Sequence, residues 1–306
     1  MVSGLESGLE SVEAGAGVGA GAGVGGGAGA EGAGVAGSGG GARGVGAVDL
    51  GGVARGARAL GSADAVGRVA ASDRAALDRA ALDRVAFERE LRAVPERRYH
   101  HRHPFNLRMH QGELSPVELR VWILNRFHYQ RHIPVKDALI LAKLDDPALR
   151  RMWVRRITDH DGTADDEGGI ERWLRLGEAA GLDRADLLSG EGVLPGVRLA
   201  VDGYVNLCRS ATPLEAVAAS LTELFAPDIM TTRIAAFQAH YTWIRPEGLA
   251  YFKSRVPQGR RDSGEALSLV LEWARTREQQ KAAVAALAYK CEVLWTLLDA
   301  VDRSGA

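Results

Sequence analysis

Apolar side chains recur along this chain at intervals of three and four, the period of a helix with one buried face. Leu77, Ala81, Val85 and Leu91, with Phe87 nearby, form such a face behind a candidate N-cap at Ser72, and Pro95 ends it. The run RRYHHRHPFNLRMHQG (97–112) follows and reads as turn-like. Ser115-Pro116-Val117-Glu118 is a capping box with proline at the first helical position, and it launches a helix carrying Trp122, Leu124 and Phe127. That helix runs into NRFHYQRHIPVKD (125–137), where Pro134 has no amide proton and must kink or restart it. Further helices are expected over Asp146–His160, from Gly168-Gly169 to the C′ glycine Gly181, and over Pro195–Arg209. A second capping box at Thr212-Pro213-Leu214-Glu215 starts LEAVAASLTELFA, which Pro227 should stop. Asp228–Tyr241, Pro246–Val256, Arg260–Thr276 and Glu278–Val301 complete the series. No segment alternates with period two, and no Asn-Gly or Asp-Gly turn joins β-branched runs. The pattern predicts an all-α fold, a compact multi-helix bundle.

Composition changes the picture at one end only. Of the 38 glycines, 24 fall in residues 1–72, a Gly/Ala/Val-rich stretch with little bulk to bury and much backbone entropy to lose. It is expected to be a disordered extension, or the product of a start assigned too far upstream. It makes a poor secretory leader, since its first arginine is Arg43. Residues 73–306 then form the helical domain. A net charge of −1 in 306 residues gives no general bias toward nucleic acid or anionic membranes. No run of apolar residues is long enough to span a bilayer. Two cysteines, Cys208 and Cys291, make neither a disulfide framework nor a zinc motif, which suits the cytoplasm.

Three pairs share one design. Arg126/Gln130, Arg156/His160 and Tyr251/Arg255 are each spaced i,i+4, so each places two polar groups on one helical face. An arginine fork binds a carboxylate bidentately, and three such helices around one pocket would suit a ligand with several carboxylates. Taken singly, each pair is equally consistent with a surface hydrogen bond or ion pair. Six of the eight histidines lie between His100 and His132. His128 and His132 have a spacing that can chelate a metal, but carboxylate partners at di-iron spacing are missing, and no bound metal is expected. His160 is the sharper proton-transfer candidate, flanked by Asp159 and Asp161 at the end of an arginine-rich helix. Tyr99, Tyr204, Tyr251 and Lys290 can add donors. Lys290 sits in LAYKCEVLWTLLDAV, where it must snorkel, pair with an anion or titrate low, and Glu223 in SLTELFAP poses the matching question. Trp153, Trp173, Trp243, Trp273 and Trp295 read as core anchors.

NRFHYQRHIPVKDA, RRITDHDG, EGGIERWLRLGEAAGL, VLPGVRLAVDGYVN, SLTELFAP and YKCEVLWTLLDA together resemble the pyrroloquinoline-quinone (PQQ) synthase family, in order from about Phe87 to Asp299. The resemblance implies a haem-oxygenase-like helical fold, a homodimer and no metal or organic cofactor. The family closes a ring in the quinone precursor AHQQ and oxidises it with dioxygen, releasing hydrogen peroxide and PQQ, a tricarboxylate. Position by position it implies substrate contacts from Tyr99, His100, Arg126, Gln130, Lys136, Tyr204, Glu223 and Arg233. It implies catalytic roles for Arg156, His160, Tyr251, Arg255 and Lys290, with His160, Tyr251 and Arg255 around the dioxygen or peroxide.

One departure stands out. Where the family carries an active-site histidine in PQIHQSR, this chain has PDIMTTR, with Met230 at that place. A thioether transfers no proton, and loss of one general acid or base typically lowers a rate by about 10²–10⁴. His128 also replaces a usual tyrosine, and Asp166 a usual glutamate. Three readings follow: a cofactor-independent oxidase making PQQ, a PQQ-binding or delivery protein with little oxidase activity, and a metal-dependent oxygenase on the same scaffold.

Overall fold

Asp83 caps the first helix, its carboxylate accepting the Ala86 amide at 2.8 Å, and α1 spans Arg84–Ala93. The computed structural model describes residues 80–305, so the glycine-rich extension and the helix start at Ser72 lie outside the described residues. The succeeding helices are α2 (Pro95–Arg98), α3 (Pro104–Gln111), α4 (Pro116–Gln130), α5 (Ile133–Leu141) and α6 (Pro147–Asp161). Then come α7 (Gly168–Ala179), α8 (Arg184–Ser189), α9 (Pro195–Ser210), α10 (Pro213–Ala219), α11 (Ala226–His240), α12 (Ala250–Trp273) and α13 (Arg277–Asp302). The fold is all-α, with no strand among the described residues.

Both capping boxes form as read, at Ser115/Glu118 and Thr212/Glu215. The helix through residue 130 does restart: α4 ends at Gln130 and α5 begins at Ile133 with Pro134 in its first turn, where a missing amide costs nothing.

Four expectations are corrected. The His/Arg run contains α3, because the His103 Nδ1 caps it by accepting the Phe105 amide at 3.1 Å and Gly112, at φ 78°, closes it. A side chain at Gly112 would also collide with His240. The helix from Thr212 does not run to Pro227. It tightens to a 3-10 segment, Ser220–Leu224, whose Thr222 carbonyl accepts from the Tyr99 hydroxyl at 3.1 Å, and Pro227 sits in the first turn of α11. Residues 250–273 form one helix through Pro257 instead of two. The buried Phe252, Gly259, Asp262 and Ala266 hold that helix on its neighbours across the lost amide, so tertiary packing overrides the local preference. Finally, α8 forms behind an Asp183 cap where no helix was expected.

The described residues belong to one compact unit. Its centre is a chain of rings: Trp122 against Trp173 (5.5 Å), Trp173 against Phe252 (5.8 Å) and Phe252 against Phe237 (5.6 Å). Trp153 is buried as expected, but Trp273 and Trp295 are only half-buried, and Trp243 is exposed beneath the Arg120 guanidinium. Among the described residues no helix is long and apolar enough to cross a membrane.

Candidate active site

Helices α4, α11 and α12 and the Ser220–Leu224 segment surround a cavity. One wall is polar. α4 contributes Arg126, Tyr129 and Gln130, all on one face because they are three and four residues apart, and α12 contributes Tyr251 and Arg255. The Tyr251 hydroxyl donates to Gln130 Oε1 at 2.9 Å, tying the two helices together at the wall. Tyr99 and His100 complete this side, and Thr222 and Glu223 form its edge. The opposite wall is apolar, built from Ile133, Ala226, Ile229, Met230 and Leu294.

Eight of the residues singled out from sequence therefore meet at one cavity: Tyr99, His100, Arg126, Gln130, Glu223, Met230, Tyr251 and Arg255. Six others stand one layer behind. Arg156 donates to Glu223 Oε2 at 2.6 Å and stacks on Trp153 at 4.1 Å. Lys136 pairs with Asp137 at 2.7 Å and donates to the Ser220 hydroxyl at 3.3 Å. Arg233 donates to Asn106 Oδ1 at 3.1 Å, and Asn106 in turn donates to the His100 carbonyl. Lys290 donates at 2.8 Å to the hydroxyl of Tyr129, which lines the cavity, and lies 3.5 Å from the centre of the Tyr204 ring, so Tyr204 stands behind Lys290. His160 is fully enclosed beside Tyr251, both rings resting against Gly169. The turn above it needs Gly168 at φ 76°, where a Cβ would lie 2.6 Å from the His160 carbonyl.

Sequence reasoning missed Tyr129 and Thr222. Tyr129 was legible, being one turn from Arg126 beside Gln130. Thr222 was not, because its place depends on the 3-10 turn.

The electrostatics are lopsided. Arg126, Arg156, Arg233, Arg255, Lys136 and Lys290 cluster here against three carboxylates, Glu223, Asp137 and Asp262. Burial alone would raise the Glu223 pKa, but Arg156, Lys136 and Arg255 outweigh it and hold it at about 2. Arg233 and Lys290 have only neutral partners, Asn106 and Tyr129, and Arg126 goes further. It is buried on the cavity wall, its guanidinium lies 4.1 Å over the Tyr129 ring, and it has neither a carboxylate nor a hydrogen-bonded side chain beside it among the described residues. Burial and then Arg126 drive the Arg233 pKa down to about 9. Burial likewise pushes Lys290 well below its ordinary value, helped by Arg126 and Lys136. His160 is lowered to about 3 by burial and then Arg255, so it is neutral near pH 7. Its Nδ1 lies 3.0 Å from the Arg156 carbonyl, which only accepts, so the ring proton is on Nδ1 and the lone pair on Nε2. That Nε2 is buried without a hydrogen bond.

The His128 and His132 rings lie 4.5 Å apart, but His132 Nδ1 is engaged by the His128 carbonyl at 2.6 Å. Among the described residues no three His, Cys, Asp or Glu side chains gather as a metal site.

The sequence profile of the TENA/THI-4/PQQC family matches residues 89–300. The chain is 52% identical over 217 residues to a protein of Granulibacter bethesdensis named pyrroloquinoline-quinone synthase, covering 71% of this chain and 85% of that one. A protein of the same name from Cronobacter sakazakii is 52% identical over 206 residues, covering 67% and 82%. Among solved structures, a domain of unknown function with a heme oxygenase-like fold from Shewanella denitrificans superposes with a TM-score of 0.60 at 17% identity, covering 74% of this chain and 97% of that one. A TenA homolog from Pseudomonas syringae pv. tomato gives 0.59 at 16% identity, covering 71% and 91%. These two show the same fold.

Proposed function

The chain belongs to the TENA/THI-4/PQQC family, and on that footing we propose that it is a pyrroloquinoline-quinone synthase, catalysing the last step of PQQ formation from AHQQ with dioxygen. The observation that carries this reading is Arg126, a buried guanidinium on a cavity wall with no carboxylate beside it among the described residues. A buried charge without a partner is costly. A substrate carboxylate is the group that removes the cost, and an arginine fork binds it bidentately. Arg255, with Gln130 and Tyr251 beside it, supplies a second set of donors, so a flat, polyanionic quinone is gripped along its acidic edge. The apolar wall of Ile133, Ile229 and Leu294 takes its rings.

In this reading Arg126, Gln130, Tyr99, His100 and Glu223 bind substrate, and Tyr251 and Arg255 stabilise negative charge as oxygen is reduced. His160, with its Nε2 lone pair, accepts a proton during cyclisation or oxidation. Arg156, Lys136 and Arg233 act through their neighbours: Arg156 fixes Glu223, and Arg233 and Lys136 add positive field. Lys290 acts on the Tyr129 hydroxyl, and Tyr204 acts on Lys290 through its ring face. The oxidation needs no resident metal or organic cofactor, since the quinone precursor itself carries the electrons to oxygen. A second copy of this chain is the expected partner, which sedimentation of the purified protein would test.

Aerobic incubation of metal-free protein with AHQQ, following the quinone spectrum and dissolved oxygen together, tests the reading. A PQQ spectrum appearing with oxygen uptake and peroxide is expected. Protein that neither binds PQQ nor consumes oxygen would refute it, and activity only after metal is added would refute the cofactor-free part.

A further inference from the structure

Asp262 is a buried carboxylate behind the cavity whose two oxygens have unequal surroundings. Oδ1 accepts from Arg261 twice, from Nη2 at 2.7 Å and Nε at 3.0 Å. Oδ2 faces Nη2 of Arg255 at 3.6 Å, too far for a hydrogen bond, and has no other partner. Arg255 is the side chain that lines the cavity. Arg261 is half-exposed, lines nothing, and also donates to Asp159, the neighbour of His160, across the gap to α6. The backbone carbonyl of Asp262 accepts from Arg156. Asp262 thus sits between two claims: a surface arginine that already holds it, and a cavity arginine that it attracts without bonding.

We infer that Arg261 is a positioning residue for Arg255: by occupying Asp262 it keeps the Arg255 guanidinium turned to the cavity and available to an anionic ligand. Without Arg261, the Asp262 carboxylate has both oxygens open; Arg156 is nearby but already bonded to Glu223 and the Asp262 carbonyl, so Arg255 is the cation free to turn to it. The 3.6 Å contact then closes to a bonded pair at about 2.8 Å, and the donors of Arg255 leave the cavity wall. A half-exposed residue outside the cavity would in this way set the affinity inside it. The inference rests on the reading of the cavity as a PQQ site only for its choice of ligand.

The test is a double-mutant cycle on the full chain, read by equilibrium binding of PQQ. Arg261→Gln should weaken binding about tenfold, the loss of one charge-assisted hydrogen bond to the ligand. In an Asp262→Asn background, where no charge is left to capture Arg255, the same substitution should change affinity by less than about twofold. A crystal structure of the Arg261→Gln protein should show Arg255 bonded to Asp262. An equal loss in both backgrounds, no loss in the first, or Arg255 still 3.6 Å away would overturn the inference. Wild-type protein that fails to bind PQQ overturns the proposed function instead, and the crystallographic distance then decides the inference alone.

Discussion

The cavity wall on α4 and the layer behind it on α6 use one device to opposite ends. Each places a buried arginine one turn before a polar partner, Arg126 with Gln130 and Arg156 with His160. Arg156 is held on both Nη groups: Glu223 and the Asp262 carbonyl accept from them and the Trp153 face covers its plane, while only its Nε is left without a partner. Arg126 has only the Tyr129 face. The spacing that puts two groups on one helical side is the same in both, so the difference comes from what the rest of the fold brings opposite. A carboxylate of the protein makes an arginine into a strut, and its absence makes an arginine into a receptor.

Arg156→Met should break the rear layer most severely. It strands Glu223 and costs about 3–5 kcal/mol of stability, the usual penalty for removing one partner of a buried pair. Denaturant unfolding reads this directly. A variant as stable as wild type but unable to bind PQQ would move Arg156 to the receptor side. Arg126→Met should do the reverse: PQQ affinity falls on the order of 10–100-fold, while unfolding free energy stays level or rises because an uncompensated charge is removed.

The pH dependence sharpens the contrast through His160. Its folded pKa of about 3 lies below the ordinary 6.5, so the unfolded chain binds the proton that the native state refuses. The stabilising contribution is complete above pH 6.5 and is lost as pH falls toward 3, at about 1.4 kcal/mol per unit. Unfolding curves between pH 7 and 4 should therefore flatten in a His160→Gln protein relative to wild type. Equal slopes would show that His160 takes up its proton as readily in the native state as in the unfolded one.

Met230→His is the mildest change, on the apolar wall. It should speed oxygen consumption by about tenfold, at the low end for a general acid or base because His100 and His160 already stand nearby, while PQQ affinity is held. No change in rate would show that the thioether costs this protein nothing.

Much of this was legible in the chain. The two capping boxes, the restart at Pro134 and the three i,i+4 pairs are local facts, set by a few adjacent residues. Convergence is not local. Nothing in RRITDHDG says that Arg156 finds Glu223 while Arg126 finds no carboxylate, because the partner lies 67 residues away in the first case and there is none among the described residues in the second. Pro257 misled for the same reason: its local cost is real, but the packing of Phe252 and Ala266 outweighs it. The 3-10 turn at Ser220–Leu224, which presents Thr222 and Glu223 to the cavity, is held by Tyr99 from far upstream.

Arg126 and Arg233 repel one another, and neither is paired with a carboxylate among the described residues. Heat resistance therefore becomes a gauge of occupancy: any guest that brings negative charge should raise the unfolding temperature with its concentration. The guest richest in carboxylates gains most from staying.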